Sequence, residues 1–260
     1  MTEFEAFAVE LARAAAGVTL PLFRSGLTTE NKLETGFDPV TEADRGAEAA
    51  IRRLIADRYP HHGVIGEEYG EDRPEAEHVW VLDPVDGTRA FISGLPLWTT
   101  LIAMRVEGRA SVGVIAQPYL DEIFLGGPSG ARLIRTEGEE AIRCRPCASL
   151  NDAVIATTDP DLFTGAEMGA WRQVRAAARL ARLGCDAYAY AMVAAGRMDL
   201  VAETGLKLWD WASHLPLIEA AGGRVTDWLG EEPSGDGRIL AVGDERLIDQ
   251  ALVALKRAVV

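Results

Sequence analysis

The hexapeptide Asp83-Pro84-Val85-Asp86-Gly87-Thr88 sets two carboxylates, a turn and a hydroxyl directly after the apolar run Val79-Trp80-Val81-Leu82. Ionised carboxylates are costly to bury unless paired or bound to a cation, so a buried strand that ends in acids ends at a functional edge. Pro84 biases Asp83 toward an extended conformation, and Gly87 lets the chain turn sharply and approach a ligand closely. Oxygen-only donors at Asp-x-x-Asp spacing suit a hard cation such as Mg²⁺ rather than zinc. Standing alone, the same six residues also read as an ordinary Asp-Gly turn.

Three further acidic stations give the motif company. Ile65-Gly66-Glu67-Glu68 places two acids after a short apolar run and a glycine, Thr41-Glu42-Ala43-Asp44 places one in a first helical turn, and Trp209-Asp210 places one at the expected start of a helix. Each has a structural reading too. Asp44 is the acidic partner of a capping box, Asp210 a favourable charge at a helix N-terminus, and Glu67-Glu68 a solvated loop. Gly87 and Thr88, at the expected start of a helix, offer backbone N–H groups to an anion such as phosphate.

The elements that must hold these residues follow from periodicity. Phe4, Phe7, Ala8, Leu11, Ala14 and Ala15 lie at helical spacing, and a polar loop follows from about 25 to 39. Thr41 caps a helix whose inner stripe is Ala47, Ile51, Leu54 and Ile55. Strands are predicted at 64–65, 79–82, 99–106 and 111–116, the last two joined as a hairpin through Glu107-Gly108-Arg109, with 122–125 extending the sheet. Beyond about residue 145 helices alternate with strands: strand 153–157, helix 165–180, helix 186–196, strand 198–202, helix 209–221, strands 224–227 and 238–242, and helix 244–258. Such alternation predicts sheet layers covered by helices, in two halves, 1–145 and 146–260, with no Pro-, Gly- or Ser-rich linker between them.

Composition narrows the classes. The chain has 260 residues, enough for a large core, and a formal charge of −14, which speaks against nucleic-acid or anionic-membrane surfaces. A phosphate substrate would then need local cations to overturn the global repulsion. Lysine occurs only at 32, 207 and 256, which singles out Lys32. No basic stretch followed by an apolar core opens the chain and no apolar run approaches the roughly 20 residues of a membrane span, so a cytoplasmic protein is expected. Cys144, Cys147 and Cys185 make no disulfide framework; Cys144-Arg145-Pro146-Cys147 has CxxC spacing, but no second pair supports zinc, and two ordinary thiols are expected. Cys185-Asp186 lacks the C-x₅-R cradle of a cysteine phosphatase. His61-His62 reads as an exposed turn and His214 as a helix residue, and His78 has no catalytic context either.

Gly66-Glu67-Glu68, then Asp83-Pro84-Val85-Asp86-Gly87-Thr88, then Trp209-Asp210, in this order, resembles the inositol monophosphatase superfamily of metal-dependent, lithium-sensitive phosphatases. The likeness runs along essentially the whole chain. It implies an α+β fold layered α/β/α/β/α with the active site between the halves, a homodimer, and two or three Mg²⁺ ions per subunit. It also implies that Glu67, Asp83, the Val85 carbonyl, Asp86 and Asp210 are metal ligands, with Asp83 bridging. Asp44 and Thr88 match the pair that positions the attacking water, and Lys32 falls in the family's mobile loop. Water assisted by Glu67 and Thr88 would attack the phosphate directly, without a phosphoenzyme.

The residues around this core speak to the substrate. Arg89-Ala90-Phe91-Ile92-Ser93-Gly94-Leu95-Pro96-Leu97-Trp98 after Thr88, and the run from Asp199 to Asp210, resemble the histidinol-phosphate phosphatase branch. Histidinol phosphate carries an amine and an imidazole, whose recognition favours a carboxylate; Glu203 stands where the family contacts the alcohol, although a plain strand-end charge also explains it. Trp98 reads equally as pocket wall or core, and Thr99 stands where that branch commonly has Gly. An inositol phosphatase, a nucleotide 3′-phosphatase and a non-catalytic metal- or phosphate-binding regulator are the alternatives.

Overall fold

Two capping boxes launch the N-terminal helices. Thr2 and Glu5 exchange hydrogen bonds at the start of α1 (Glu3–Leu22), and Thr41 and Asp44 do the same for α2 (Glu42–Arg58). The computed structural model describes residues 1–26, 30–31 and 39–259, so Lys32 lies outside the described residues. Between those helices lie β1 (Glu30–Asn31) and β2 (Pro39–Val40), an antiparallel pair. The chain continues through β3 (Gly63–Gly66), β4 (Gly70–Asp72), β5 (His78–Asp86), α3 (Thr88–Ile92), β6 (Thr99–Val106), β7 (Arg109–Gln117), β8 (Glu122–Gly126), β9 (Arg132–Arg135) and β10 (Gly138–Ala141). After it come β11 (Val154–Thr157), α4 (Ala166–Ala177), β12 (Leu180–Leu183), α5 (Tyr188–Ala194), β13 (Leu200–Glu203), α6 (Leu208–Trp211), α7 (His214–Ala220), β14 (Arg224–Thr226), β15 (Ile239–Val242) and α8 (Arg246–Leu255).

Two large sheets result, in the orders β10-β9-β8-β7-β6-β5-β3-β4 and β12-β11-β13-β15-β14. Side-chain alternation divides each into two buried faces. On the first sheet Trp80, Leu82, Ile102, Met104 and Val114 pack against Phe7, Leu11, Ala47 and Ile51 of α1 and α2. The opposite face presents Leu101, Ile115 and Phe124 to α5 and α7, which also cover Val201, Val225 and Ala241 of the second sheet. Leu200, Ala202, Leu240 and Val242 face away, toward Trp171, Val174, Leu247 and Ala251 of α4 and α8. Helices, sheet, helices, sheet, helices: the expected α+β layering α/β/α/β/α is the observed one.

The middle helical layer meets the first sheet backbone to backbone where two glycines pair. Gly113 pairs with Gly126 in register, and a Cβ at either would lie 2.1 or 2.2 Å from the backbone of Ser213 or Leu217. Only glycine admits that approach, and it brings the start of α7 down beside the acidic strand end.

The predicted hairpin is present; Glu107 and Gly108 both take positive φ, as a two-residue turn requires. Three expectations are corrected. The helix predicted at 165–180 ends at Ala177, because Leu180–Leu183 instead forms β12, pairing parallel to β11. The helix predicted at 209–221 divides into α6 and α7, since Pro216 has no N–H to bond the carbonyl of Ala212, and in α7 it falls in the first turn where none is needed. His62 is no free turn residue: its ring stacks between Tyr59 at 4.4 Å and His78 at 4.9 Å and accepts the Trp80 indole N–H at 3.2 Å. The β9–β10 hairpin is too short and charged to read from its sequence; its strands pair antiparallel from Gly138–Arg135 to Ala141–Arg132, with the ion pairs Arg132–Glu139 and Arg135–Glu140 alongside. Among the described residues no helix is long and apolar enough to cross a membrane.

Candidate active site

Strand β5 is buried from Val79 to Val85 and breaks register with β6 between Asp83 and Asp86. That irregularity has a local cause: Asp83 Oδ1 accepts the Val85 N–H at 3.0 Å, and the Pro84 carbonyl takes the Thr100 hydroxyl at 2.8 Å. Pro84 has no N–H to give the ladder, so the chain turns out of the sheet there. Gly87, at φ +76°, then turns the chain into α3, a helix of five residues. So short a helix has little macrodipole, so the expected helix-start anion site reduces to its individual N–H groups.

The same turn orders the side chains around it. The Thr88 hydroxyl donates to the Val85 carbonyl at 3.1 Å and lies 3.5 Å from Asp44 Oδ1, whose other oxygen accepts the Thr41 N–H and hydroxyl at 2.9 and 2.6 Å. Asp44 is therefore both a cap and a neighbour of Thr88. Asp86 Oδ2 takes the Thr99 hydroxyl at 3.2 Å and, from the far side of the cavity, the Ala187 N–H at 2.8 Å. Thr99 thus fits well, donating a bond that a glycine could not. Glu67 leaves the end of β3, its N–H bonded to the Leu82 carbonyl at 3.2 Å. Asp210, in the first turn of α6, accepts the Lys207 N–H at 2.7 Å.

A cavity of about 280 Å³ gathers these groups: Glu67, Asp83, Val85, Asp86, Gly87, Thr88, Arg89, Glu203 and Asp210 all line it. Of the residues expected at the site, Asp44 lies behind Thr88 rather than in the wall, and Lys32 falls outside the described residues. Arg89 reaches from the mouth to within 3.6 Å of Asp159. Glu203, buried at the end of β13, accepts the Thr158 N–H and hydroxyl at 2.8 and 2.6 Å and the Tyr190 hydroxyl at 3.1 Å. Trp98 belongs to the core, edge-on to Phe91 and tilted against Phe23. Cys144 and Cys147 are free thiols, and burial pushes the Cys144 thiol up to about 11.

Among the lining residues that carry no signal in the sequence are Thr158, Asp186, Tyr190 and His214. Asp186 packs against Gly87, where a Cβ would meet its carboxyl carbon at 3.2 Å. Its positive φ of 46° ahead of an alanine-rich helix is the one hint, and that is visible only in the backbone. The His214 ring stacks on Tyr190 at 3.9 Å and shares a hydrogen bond with Ser213.

The electrostatics of the cavity are one-sided. Desolvation first, then Glu67, Asp86, Asp210 and Asp44, push Asp83 well above the carboxylate range. Desolvation and the Asp186 charge do the same to Asp86. Desolvation lifts Asp210 and Glu203 to about 7 and Asp186 to about 6, and buried His214 falls to about 3. Carboxylates that raise one another's pKa in this way make a place where a bound cation would relieve their repulsion. Their donors are all hard oxygens, which fits Mg²⁺. Among the described residues no three acidic, histidine or cysteine side chains close into a finished coordination cage, so the acids surround a space rather than a point.

This geometry agrees with what the chain resembles. The model of the inositol monophosphatase family matches residues 1–259. The chain is 39% identical over 269 residues to the bifunctional phosphatase IMPL2, chloroplastic, of Arabidopsis thaliana, covering 98% of this chain and 76% of that one. It is 34% identical to a histidinol-phosphatase of Chlorobaculum parvum, covering 98% and 97%. A solved inositol monophosphatase from Zymomonas mobilis superposes with a TM-score of 0.88 at 38% identity, covering 98% of each chain. Enzymes of this family depend on a metal, generally Mg²⁺. The chain belongs to the inositol monophosphatase family and is a phosphoric monoester hydrolase.

Proposed function

We propose that the chain hydrolyses L-histidinol phosphate to L-histidinol and phosphate, with two or three Mg²⁺ ions held by Glu67, Asp83, the Val85 carbonyl, Asp86 and Asp210. The observation that carries the substrate is the second acidic pole of the cavity. Beyond the Asp83–Asp86 turn, Glu203 and Asp186 line the same space beside the Tyr190 and His214 rings. A neutral polyol has little use for two carboxylates against aromatic faces, whereas an amine-bearing alcohol with an imidazole finds a charge partner and a stacking surface there. The likeness to a histidinol-phosphatase supports the same reading.

Bound Mg²⁺ would neutralise the ester's oxygens and sharpen a water into a nucleophile. The chain's own residues supply the rest. Thr88, with Asp44 behind it, holds the attacking water by its hydroxyl, and Glu67 accepts the proton that the water gives up. The Gly87 and Thr88 N–H groups orient the phosphate, and Arg89 at the mouth draws the anion inward. No covalent step is needed: the Cys185 thiol is raised by burial and so stays protonated, and it is absent from the cavity wall. A homodimer and inhibition by lithium belong to this reading on family resemblance alone. The two halves, 1–145 and 146–260, would act as one unit, since each lends residues to the cavity.

Inositol 1-phosphate is the second substrate to weigh, favoured by the likeness to the Zymomonas mobilis enzyme. Phosphate release measured side by side decides between them. The specificity constant for L-histidinol phosphate is expected to exceed that for myo-inositol 1-phosphate by at least about a hundredfold, as loss of a charged partner in a desolvated site costs about 1.5–3 kcal/mol per contact. Glu203→Gln should shrink that ratio by lowering only the histidinol phosphate rate. Equal rates on both esters, unchanged in Glu203→Gln, would make the protein a broad monophosphatase.

A further inference from the structure

Glu48 stands outside the cavity, yet its carboxylate underlies the turn that carries Glu67. Its carboxylate is fully buried on the inner face of α2. Oε2 accepts the Glu68 N–H at 2.8 Å, and Oε1 accepts the Tyr69 N–H at 3.2 Å together with the Arg52 Nε at 2.8 Å. Arg52, one turn further along α2, also donates to the Gly70 carbonyl. The pair therefore holds three consecutive residues of the turn, Glu68, Tyr69 and Gly70, from a helix anchored on the core by Ala47, Ile51 and Ile55.

The fit is tight on the other side as well. A Cβ at Gly66 would lie 2.1 Å from Glu48 Oε1, so the glycine that precedes Glu67 is required by the carboxylate beneath it. Gly66 has no need of glycine for its backbone conformation, since its φ is not positive. The carboxylate also has a use for its charge: two main-chain N–H groups and a guanidinium converge on it, and no neutral side chain of that size accepts from all three. Groups that hold a ligand's backbone or ring in place set the affinity of the site they support.

We propose that Glu48, braced by Arg52, is a positioning residue that fixes Glu67 for Mg²⁺, a role that rests on the metal-ligand reading of Glu67 given above. Glu48→Gln keeps the volume but, however its amide is turned, points an NH₂ at an N–H donor. Gly66→Ala reaches the same contact from the opposite side.

Calorimetric titration with MgCl₂ on the folded proteins tests this, beside half-saturation for Mg²⁺ in phosphate release. Glu48→Gln is expected to weaken Mg²⁺ binding by about 10–100-fold while KM for the ester at saturating Mg²⁺ changes little. Gly66→Ala should weaken it similarly in the natural background and add nothing in Glu48→Ala, where the obstructing carboxylate is gone; that non-additivity is the mark of a shared contact. A Glu48→Gln protein that melts lower yet binds Mg²⁺ like the natural one overturns the proposal and leaves Glu48 a stabilising residue. Asp83→Asn, run alongside, separates the two readings. If it too binds Mg²⁺ normally, the metal assignment itself fails; if it loses binding while Glu48→Gln does not, only the positioning role fails.

Discussion

Asp83→Asn is expected to inactivate the enzyme and, at the same time, to make the metal-free protein more stable at pH 8. Asp83 is 3% exposed, and its Oδ1 accepts the Val85 N–H at 3.0 Å, a bond that an asparagine carbonyl keeps. What the substitution removes is a desolvated charge opposed by Glu67, Asp86, Asp210 and Asp44. Without metal that charge is a liability, and its loss should raise both stability and Tm at pH 8. Turnover should nevertheless fall by at least about 10³-fold, equivalent to about 4 kcal/mol of barrier. Glu68→Gln, one residue beyond the expected ligand, should cost far less. Thermal melts in EDTA at pH 8 together with saturating-Mg²⁺ kinetics check both halves. A variant both inactive and less stable would mean that Asp83 holds the fold rather than a cation.

The second large effect is an inverted pH dependence of stability in the metal-free protein. Asp210 and Glu203 titrate near 7 in the folded chain, and Asp83 and Asp86 lie well above the carboxylate range, whereas in the unfolded chain all four ionise near 4. Groups raised on folding contribute stability that is complete below the unfolded value and lost as the pH climbs through the folded one. The metal-free protein should therefore gain stability on acidification from pH 8 to 6. Each proton taken up is worth about 1.4 kcal/mol per pH unit, so one net proton gives about 3 kcal/mol over that range. Two histidines oppose the trend further down. His62 is lowered and His214 falls to about 3, so the stability they lend is present above about 6.5 and declines as the pH falls below it. Two histidines against at least four raised acids slow the gain below about pH 6.5 without reversing it, so stability keeps rising toward the unfolded carboxylate values near 4. Saturating Mg²⁺ should remove most of the gain by lifting the melting temperature at pH 8, about 2.7 kcal/mol at a hundredfold excess over Kd. Melting curves in EDTA that are flat or falling from pH 8 to 6 would show that the acids are already neutralised by the protein itself.

Much of the site was legible in the chain because its chemistry is local. Asp83, Val85, Asp86, Gly87 and Thr88 share one turn, while Glu67 and Asp210, which singly read as a loop charge and a helix-start charge, are singled out by the order in which the acidic motifs follow one another. Asp44 was legible twice over, as a cap and as a partner of Thr88, and the structure shows both contacts. The rest is long-range. Asp186 reaches the cavity only because the Ala187 N–H docks on Asp86, 101 residues earlier in the chain. His214 arrives there because Gly113 and Gly126 let α7 settle onto the first sheet, a consequence of strand register that no window of residues displays. The same holds for β12, an edge strand whose helical sequence signal loses to the open side of β11. Glu48 carries an apolar-stripe neighbour's position and a charged side chain, a conflict that local reading passes over and the Gly66 turn resolves.

Calorimetric titration of the metal-free protein with MgCl₂ at pH 7, repeated in buffers of different ionisation enthalpy, addresses the acidic cavity most directly. Asp210 titrates near 7 and Asp83 and Asp86 are raised in the same direction, so Mg²⁺ binding should release protons at that pH, and the number released should fall as the pH rises. Asp83→Asn should abolish the heat. Binding without proton release, or heat that survives in Asp83→Asn, would contradict the assignment of these carboxylates as the metal site.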